Sequence, residues 1–139
     1  MGSTIEFTPD TILVNLNRCT GCWTCACACK VGNRLSDDEW WLRVKTLGSG
    51  EGIDRPAGTW EDGLHMDWIP LWSEKCVKCP ARIKRGETPY CVYNCPTRAL
   101  SIGEQAEEKC AELRERGFRI FVLPAYEGTK ENIVYADRR

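Results

Sequence analysis

A single histidine, His65, occurs among 139 residues. No His/Asp/Ser arrangement surrounds it in the sequence, and no glycine-rich loop of the phosphate-cradling kind is present. The chain therefore offers no substrate-converting constellation of its own, and His65 reads as a structural residue. No apolar run approaches the roughly 18 residues that a membrane helix requires. The opening residues, Met1-Gly-Ser-Thr-Ile-Glu-Phe, have neither the basic and apolar regions nor the cleavage site of a secretory signal. Arg138 and Arg139 sit at the wrong end to be a twin-arginine signal. The expectation is a cytoplasmic protein; the alternative is a periplasmic one, exported folded beside a partner that carries a signal. Charge of one sign is not in excess either. The formal net charge is −1, from 19 Lys and Arg against 20 Asp and Glu, which gives no electrostatic support for binding nucleic acid.

What the chain does hold in quantity is cysteine, ten in all. In a reducing compartment such a set points to metal or redox chemistry and not to disulfides. Cys25, Cys27 and Cys29 are also too close in sequence to pair with one another without strain. The cysteines fall in two groups. The first is Cys19-Thr-Gly-Cys22-Trp-Thr-Cys25-Ala-Cys27-Ala-Cys29, and the second is Cys76, Cys79, Cys91 and Cys95. Each group ends in a Cys-x3-Cys pair, an internal echo that suggests two pseudo-equivalent halves.

A length of 139 residues fits one domain. Residues 11–17 (TILVNLN) alternate, with Ile12, Val14 and Leu16 on one face, and read as a strand leading into Cys19. Residues 19–30 form a cysteine loop whose end is helical. Residues 31–75 contain no cysteine but five tryptophans, Trp40, Trp41, Trp60, Trp68 and Trp72. Short strands are expected near 41–46 and 67–72, separated by a loop that Gly48, Gly50, Gly52, Pro56 and Gly58 punctuate. The tryptophans read as local core, with a partner interface as the alternative. After the second cysteine group, residues 99–102 read as a strand. Residues 104–116 read as a helix with Ala106, Cys110 and Leu113 on one face, closed by Gly117 at the C′ position. Residues 118–123 and 132–136 read as strands joined by the turn-forming linker PAYEGTKE.

The spacing of eight of the cysteines suits two [4Fe–4S] clusters. A Cys-x2-Cys-x2-Cys loop wraps three corners of a cubane, and where two clusters share a chain the last cysteine of each run ligates the other cluster. By that rule Cys19, Cys22, Cys25 and Cys95 hold one cluster, and Cys76, Cys79, Cys91 and Cys29 hold the second. The eleven residues between Cys79 and Cys91 must loop out. Arg18, Lys30, Lys75, Lys78 and Arg82 flank the ligands and can offset their negative charge. Gly21 permits close backbone approach, and Cys95-Pro96 matches the Cys-Pro ending of bacterial cluster runs. A plainer reading is a four-thiolate zinc site at Cys76, Cys79, Cys91 and Cys95, a structural interaction module; it leaves the first group as a cramped set of four within eleven residues. Cys27 and Cys110 read as small packed hydrophobes outside either ligand set.

At this level of detail the sequence resembles a known family, the iron–sulfur electron-transfer subunits of molybdopterin oxidoreductases of the dimethyl-sulfoxide-reductase and formate-dehydrogenase type. The resemblance lies in Arg18-Cys19 to Cys29-Lys30, and above all in Lys75-Cys76-x2-Cys79-x2-Arg82-x3-Gly86-x2-Pro89-x-Cys91-Val92-x2-Cys95-Pro96-Thr97-x-Ala99-Leu100. The stretch Gly128-Thr-Lys-Glu-Asn-Ile-Val-Tyr135 also resembles the family's C-terminal strand. The resemblance implies an α+β fold, a ferredoxin-like bis-[4Fe–4S] domain over residues 1–139. Residues 31–75 would be a Trp-rich insert, and residues 101–139 a C-terminal helix-plus-strand extension. It implies the eight ligands named above, no catalytic residues, and docking on a large catalytic subunit with molybdenum or tungsten on a pterin. The partner-facing surface would include the Trp-rich insert and the 80–90 loop. Many members carry four cysteine runs, whereas this chain has two. A shorter relay suits a soluble electron carrier as outside partner, in a formate-dehydrogenase-like enzyme or an anaerobic hydroxylase or dehydroxylase. A standalone two-cluster ferredoxin is the alternative from a different class.

Overall fold

The computed structural model describes residues 7–47, 57–65, 67–123 and 132–137. Its elements in chain order are β1 (Ile12–Asn15), α1 (Thr24–Gly32), β2 (Leu42–Leu47), β3 (Ala57–Thr59), β4 (Gly63–His65), β5 (Asp67–Trp72), α2 (Pro80–Lys84), α3 (Tyr90–Asn94), β6 (Leu100–Ile102), α4 (Gly103–Glu115), β7 (Arg119–Phe121) and β8 (Ile133–Asp137). Four strands form one sheet in the order β6-β1-β8-β7. β1 runs antiparallel to β6, with Val14 opposite Leu100, and parallel to β8, with Val14 opposite Tyr135. β2 and β5 make a separate two-stranded ribbon.

Strand alternation sorts the sheet's side chains onto two faces. Ile12, Val14, Leu100, Ile133 and Tyr135 join a core that contains Cys25, Cys29, Cys76 and Cys91. Leu13, Val134 and Ala136 point the other way and pack with Ala106, Cys110, Leu113 and Phe118 around α4. The alternation Ile12/Val14/Leu16 reads as a half-buried strand, yet Leu13 is as buried as its neighbours because α4 covers the second face. A strand buried on both sides carries apolar residues at both parities.

Helix α4 begins and ends where its glycines allow. Gly103 has φ +65, its N–H donates to Thr11 O at 2.9 Å, and a Cβ there would lie 2.9 Å from Pro9 O. At the other end Gly117 takes φ +86, with Phe118 N–H donating to Leu113 O and Gly117 N–H to Arg114 O, both at 3.0 Å. This is the Schellman pattern, and Gly117 is the C′ residue the sequence suggests. On its inner face Ala106, Cys110 and Leu113 are buried.

Tyr135 links the two sheets. Its hydroxyl donates to Pro70 O at 2.7 Å in a buried position, and Phe121 stacks on its ring at 5.6 Å. Replacing Tyr135 with Phe leaves a buried carbonyl without that donor. A loss of about 1–2 kcal/mol is expected, measurable as a lower melting temperature of the natively purified protein.

Three expectations need correction. The stretch 48–58 reads as a loop, but residues 57–65 form a β3–β4 hairpin, with Thr59 opposite Gly63 and Gly63 at φ +96; residues 48–56 lie outside the described residues. The 80–90 segment is not wholly loop, because Pro80, with its fixed φ, starts the short helix α2. Strand β7 covers only Arg119–Phe121, shorter than 118–123, because Phe118 is taken up by the end of α4. The linker 124–131 also lies outside the described residues. Among the described residues no helix is long and apolar enough to cross a membrane.

Candidate metal centres

The eight cysteines sort into two fours. Cys19, Cys22, Cys25 and Cys95 line one small hollow of about 20 Å3, walled by Trp23, Val44 and Pro70. Cys29, Cys76, Cys79 and Cys91 line a second, of about 10 Å3, with Trp41, Trp72 and Lys78. The crossing arises on two helices that pack against each other, α1 and α3. On α1, Cys25 and Cys29 lie about one turn apart and open into different hollows. Cys91 on α3 and Cys95 at its C-cap do the same in the opposite sense.

Left-handed backbone turns accompany the loop cysteines. Gly21 and Trp23 have φ +70 and +63 in the first run, and Lys78 and Cys79 have φ +58 and +49 in the second. At Gly21 the constraint is double, since a Cβ there would collide with the Trp68 indole. Gly21→Ala must both strain the backbone and displace that ring. A cost of about 2–4 kcal/mol is expected, read as a lower melting temperature together with faster loss of iron.

Hydrogen-bond donors face the sulfurs. Lys78 N–H lies 3.4 Å from Cys76 Sγ, and Ala99 N–H lies 3.3 Å from Cys95 Sγ. The Thr24 hydroxyl is 3.2 Å from Cys22 Sγ, and that of Thr97 is 3.6 Å from Cys95 Sγ. Asn33 Nδ2 holds Cys29 O at 2.9 Å and reaches two sulfurs, Cys29 Sγ at 3.6 Å and Cys79 Sγ at 3.9 Å. Asn33 is legible in the sequence only as the residue one helical turn beyond Cys29; the two threonines lie two residues beyond theirs, a spacing that flags local side-chain bonding.

Electrostatics distinguish the thiols. Burial, then repulsion from Cys95, pushes the Cys25 thiol up to about 12. Burial, then Cys76 and Cys79, pushes Cys29 up to about 11. Burial also raises Cys19, and raises Cys91 well above the usual thiol range. Cys22, at the exposed rim, is lowered by its Thr24 hydrogen bond. Four thiolates around one hollow repel each other and are stable together only opposite a cationic core. Such a donor set, with N–H groups aimed at sulfur and apolar walls, fits an iron–sulfur cubane. None of the ten cysteines is in a disulfide, and among the described residues no three Cys, His, Asp or Glu side chains gather closely enough for a single metal ion.

Other expectations divide. Of the flanking cations only Lys78 lines a cysteine hollow. It is buried, and its ammonium donates to Asp10 O at 2.7 Å and Asn132 O at 3.3 Å. Lys30 turns to Asp37 O and Glu39 O, Lys75 to Glu39, and Arg82 to Thr88 O and Glu87. Arg18 reaches Thr97 O at 3.4 Å, outside the hollow. Cys110 is buried as expected, but Cys27 is exposed: the inward positions of α1 are Cys25, Ala26 and Cys29, and Cys27 falls between them on the outer side. His65 lies on β4 opposite Ala57, and its side chain is outside the described part. Trp72 is buried and Trp40, Trp41 and Trp68 are partly so, whereas Trp60 is 89% exposed.

The fold and these cysteines define an iron–sulfur protein, and residues 64–105 match the family model of the 4Fe–4S dicluster domain. An anaerobic dimethyl sulfoxide reductase chain of Escherichia coli, YnfG, is 30% identical over 178 aligned positions, covering 87% of this chain and 85% of that one. The chain belongs to the family of iron–sulfur subunits of molybdopterin oxidoreductases. An iron–sulfur subunit of a dimethyl sulfoxide reductase from Halobacterium salinarum is 30% identical over 113 residues, 74% of this chain and 39% of its own. The iron–sulfur subunit of the nitrate-inducible formate dehydrogenase of E. coli is 40% identical over 50 residues, 32% of this chain and 17% of its own. The chain thus spans well under half the length of these last two relatives.

Proposed function

We propose that the chain is a two-cluster electron-transfer subunit that relays electrons to or from a large molybdopterin subunit carrying molybdenum or tungsten. Cys19, Cys22, Cys25 and Cys95 hold one [4Fe–4S] cluster, and Cys29, Cys76, Cys79 and Cys91 hold the second. The observation that carries this reading is the sorting of eight thiols, four to a hollow, with one cysteine exchanged between the runs. When bound, each cluster supplies outer-sphere one-electron chemistry. The chain's own residues hold the clusters close, exclude water with tryptophan and proline walls, and set potential. N–H donors to sulfur, among them that of Lys78, favour the reduced, more negative state.

Relatives named for dimethyl sulfoxide reductase and formate dehydrogenase support a catalytic partner of that kind. With two cysteine runs the relay is short, which suits a soluble carrier on the outer side, in a formate-dehydrogenase-like complex or an anaerobic hydroxylase or dehydroxylase. The exposed Trp60 on the β3–β4 hairpin and the α2 segment are the surfaces that would meet the large subunit.

Anaerobically isolated protein is expected to be brown and to contain about eight iron atoms per chain, four for each cubane. Absorbance across the visible should bleach on reduction. Stoichiometric zinc in place of iron would overturn the reading, and a lone small species with iron but no large partner on native gel filtration would favour a free ferredoxin.

A further inference from the structure

The sheet's outer edge carries a third hollow, larger than the cysteine hollows at about 140 Å3. It lies between α4 and β6. Arg18, Arg98, Lys109 and Arg116 line it, against one carboxylate, Glu112. All four cations are exposed, and among the described residues none has a carboxylate within ion-pair distance. A chain of net charge −1 therefore concentrates unpaired positive charge at one place.

The position matters more than the charge alone. Ala99 forms a wall of both this groove and the Cys19/Cys22/Cys25/Cys95 hollow. Its N–H donates to Cys95 Sγ at 3.3 Å. Arg18 directly precedes Cys19, and its guanidinium donates to the carbonyl of Thr97, itself a wall residue of that hollow. Of the two cysteine sets this is the more exposed, with Cys22 at the surface and Cys19 and Cys95 half-buried. Electron transfer weakens steeply with separation, so a carrier seated here would stand one residue's thickness from the sulfur ligands.

We infer that this groove is the docking site of an acidic electron-carrier protein, which exchanges single electrons with the Cys19/Cys22/Cys25/Cys95 centre past Ala99. The inference rests on the reading of that hollow as a cluster site. In the step, a reduced carrier loses one electron and the centre gains it; no bond is made or broken and no proton need move. The groove can receive a partner's carboxylate side chains, and the surrounding field steers an acidic surface toward it. Steering of this kind raises association rates by about 10- to 1000-fold and fades with ionic strength.

The test is stopped-flow reduction of the natively loaded protein by a pre-reduced acidic [2Fe–2S] ferredoxin of the plant type. Photoreduced deazaflavin serves as a small uncharged donor. The double variant Lys109→Glu/Arg116→Glu changes two exposed side chains, on α4 and at its C-cap, remote in sequence from every proposed ligand, and gives up the Arg116 contact with the Phe118 ring. At low salt its reduction by ferredoxin should be slower by about tenfold or more. The wild-type rate should fall toward the variant's as salt rises. Iron content, EPR spectrum and reduction by deazaflavin should not change. The milder Lys109→Gln/Arg116→Gln variant should fall between the two, and it decides the matter if the charge reversal fails to fold. Equal ferredoxin rates in wild type and variants would overturn the proposal. Inhibition by inorganic phosphate beyond that of sodium chloride at matched ionic strength would also overturn it and assign the groove to a small anion. Absence of iron from the native protein would remove the cluster reading itself, a failure distinct from an unsteered but iron-loaded chain.

Discussion

Chelation of iron from the native, reduced protein is expected to unfold most of the chain in one cooperative loss of far-UV circular dichroism. Four of the proposed ligands, Cys25, Cys29, Cys76 and Cys91, are themselves members of the larger core, between the sheet and the β2–β5 ribbon. Without iron the thiols of each set are left facing one another across a small hollow. Metal–thiolate coordination contributes on the order of 10 kcal/mol in small metal domains. That is comparable with the whole stability of an ordinary domain, about 5–15 kcal/mol. The smaller core around α4 does not rescue the remainder. It needs Leu13, Val134 and Ala136 from the same sheet, and an isolated helix the length of α4 is marginal in water. A cooperative melt that survives iron removal at a similar temperature would show that packing alone suffices.

The second large effect concerns which cysteines act together. Cys95→Ser is expected to remove the same EPR signal as Cys19→Ser, and Cys29→Ser the same signal as Cys76→Ser. Each change should reduce iron from about eight to about four atoms per chain, one cubane's worth. Membership follows the hollow, not the sequence run: Cys95 opens beside Cys19, and Cys29 beside Cys76. If Cys29→Ser instead grouped with Cys19→Ser, each run would hold its own cluster and the crossed arrangement would be wrong. Cys110→Ser and Cys27→Ser should spare both signals, the first because the thiol packs under α4, the second because it points to solvent.

Much of this site is legible in the sequence because cluster ligation is set by short spacings. Cys-x2-Cys loops and Cys-x3-Cys helical pairs are local constraints; the proposed exchange of final cysteines is the expectation for two clusters on one chain. The fold is legible where one period governs: Ile12–Asn15 as a strand, and α4 with its buried Ala106, Cys110 and Leu113 and its terminal Gly117. It is less so where tertiary partners decide. Nothing local marks Leu13 as buried, since α4, some ninety residues later, is what covers it. Cys27 misleads because alternation within a cysteine-rich run does not reveal which side of α1 faces inward. Asn33 serves sulfurs of both runs, Cys29 and Cys79, and only folding brings the latter within reach. The cations beside the cysteines suggest counter-charges, yet Lys30, Lys75 and Arg82 are taken by nearer carbonyls and carboxylates.

The parallel pairing of β1 with β8 has a consequence for biosynthesis. Residues 12–15 sit beside residues 133–136, and the strand between β1 and β7 is thus among the last parts of the described chain to be made. Contacts so far apart in sequence are slow to form. Cys19 to Cys25 are made well before Cys95, which shares their hollow, and before Tyr135, which pairs beside Val14. On the proposed cluster assignment, both sites would be completed only when the later cysteines are in place and β8 has entered between β1 and β7.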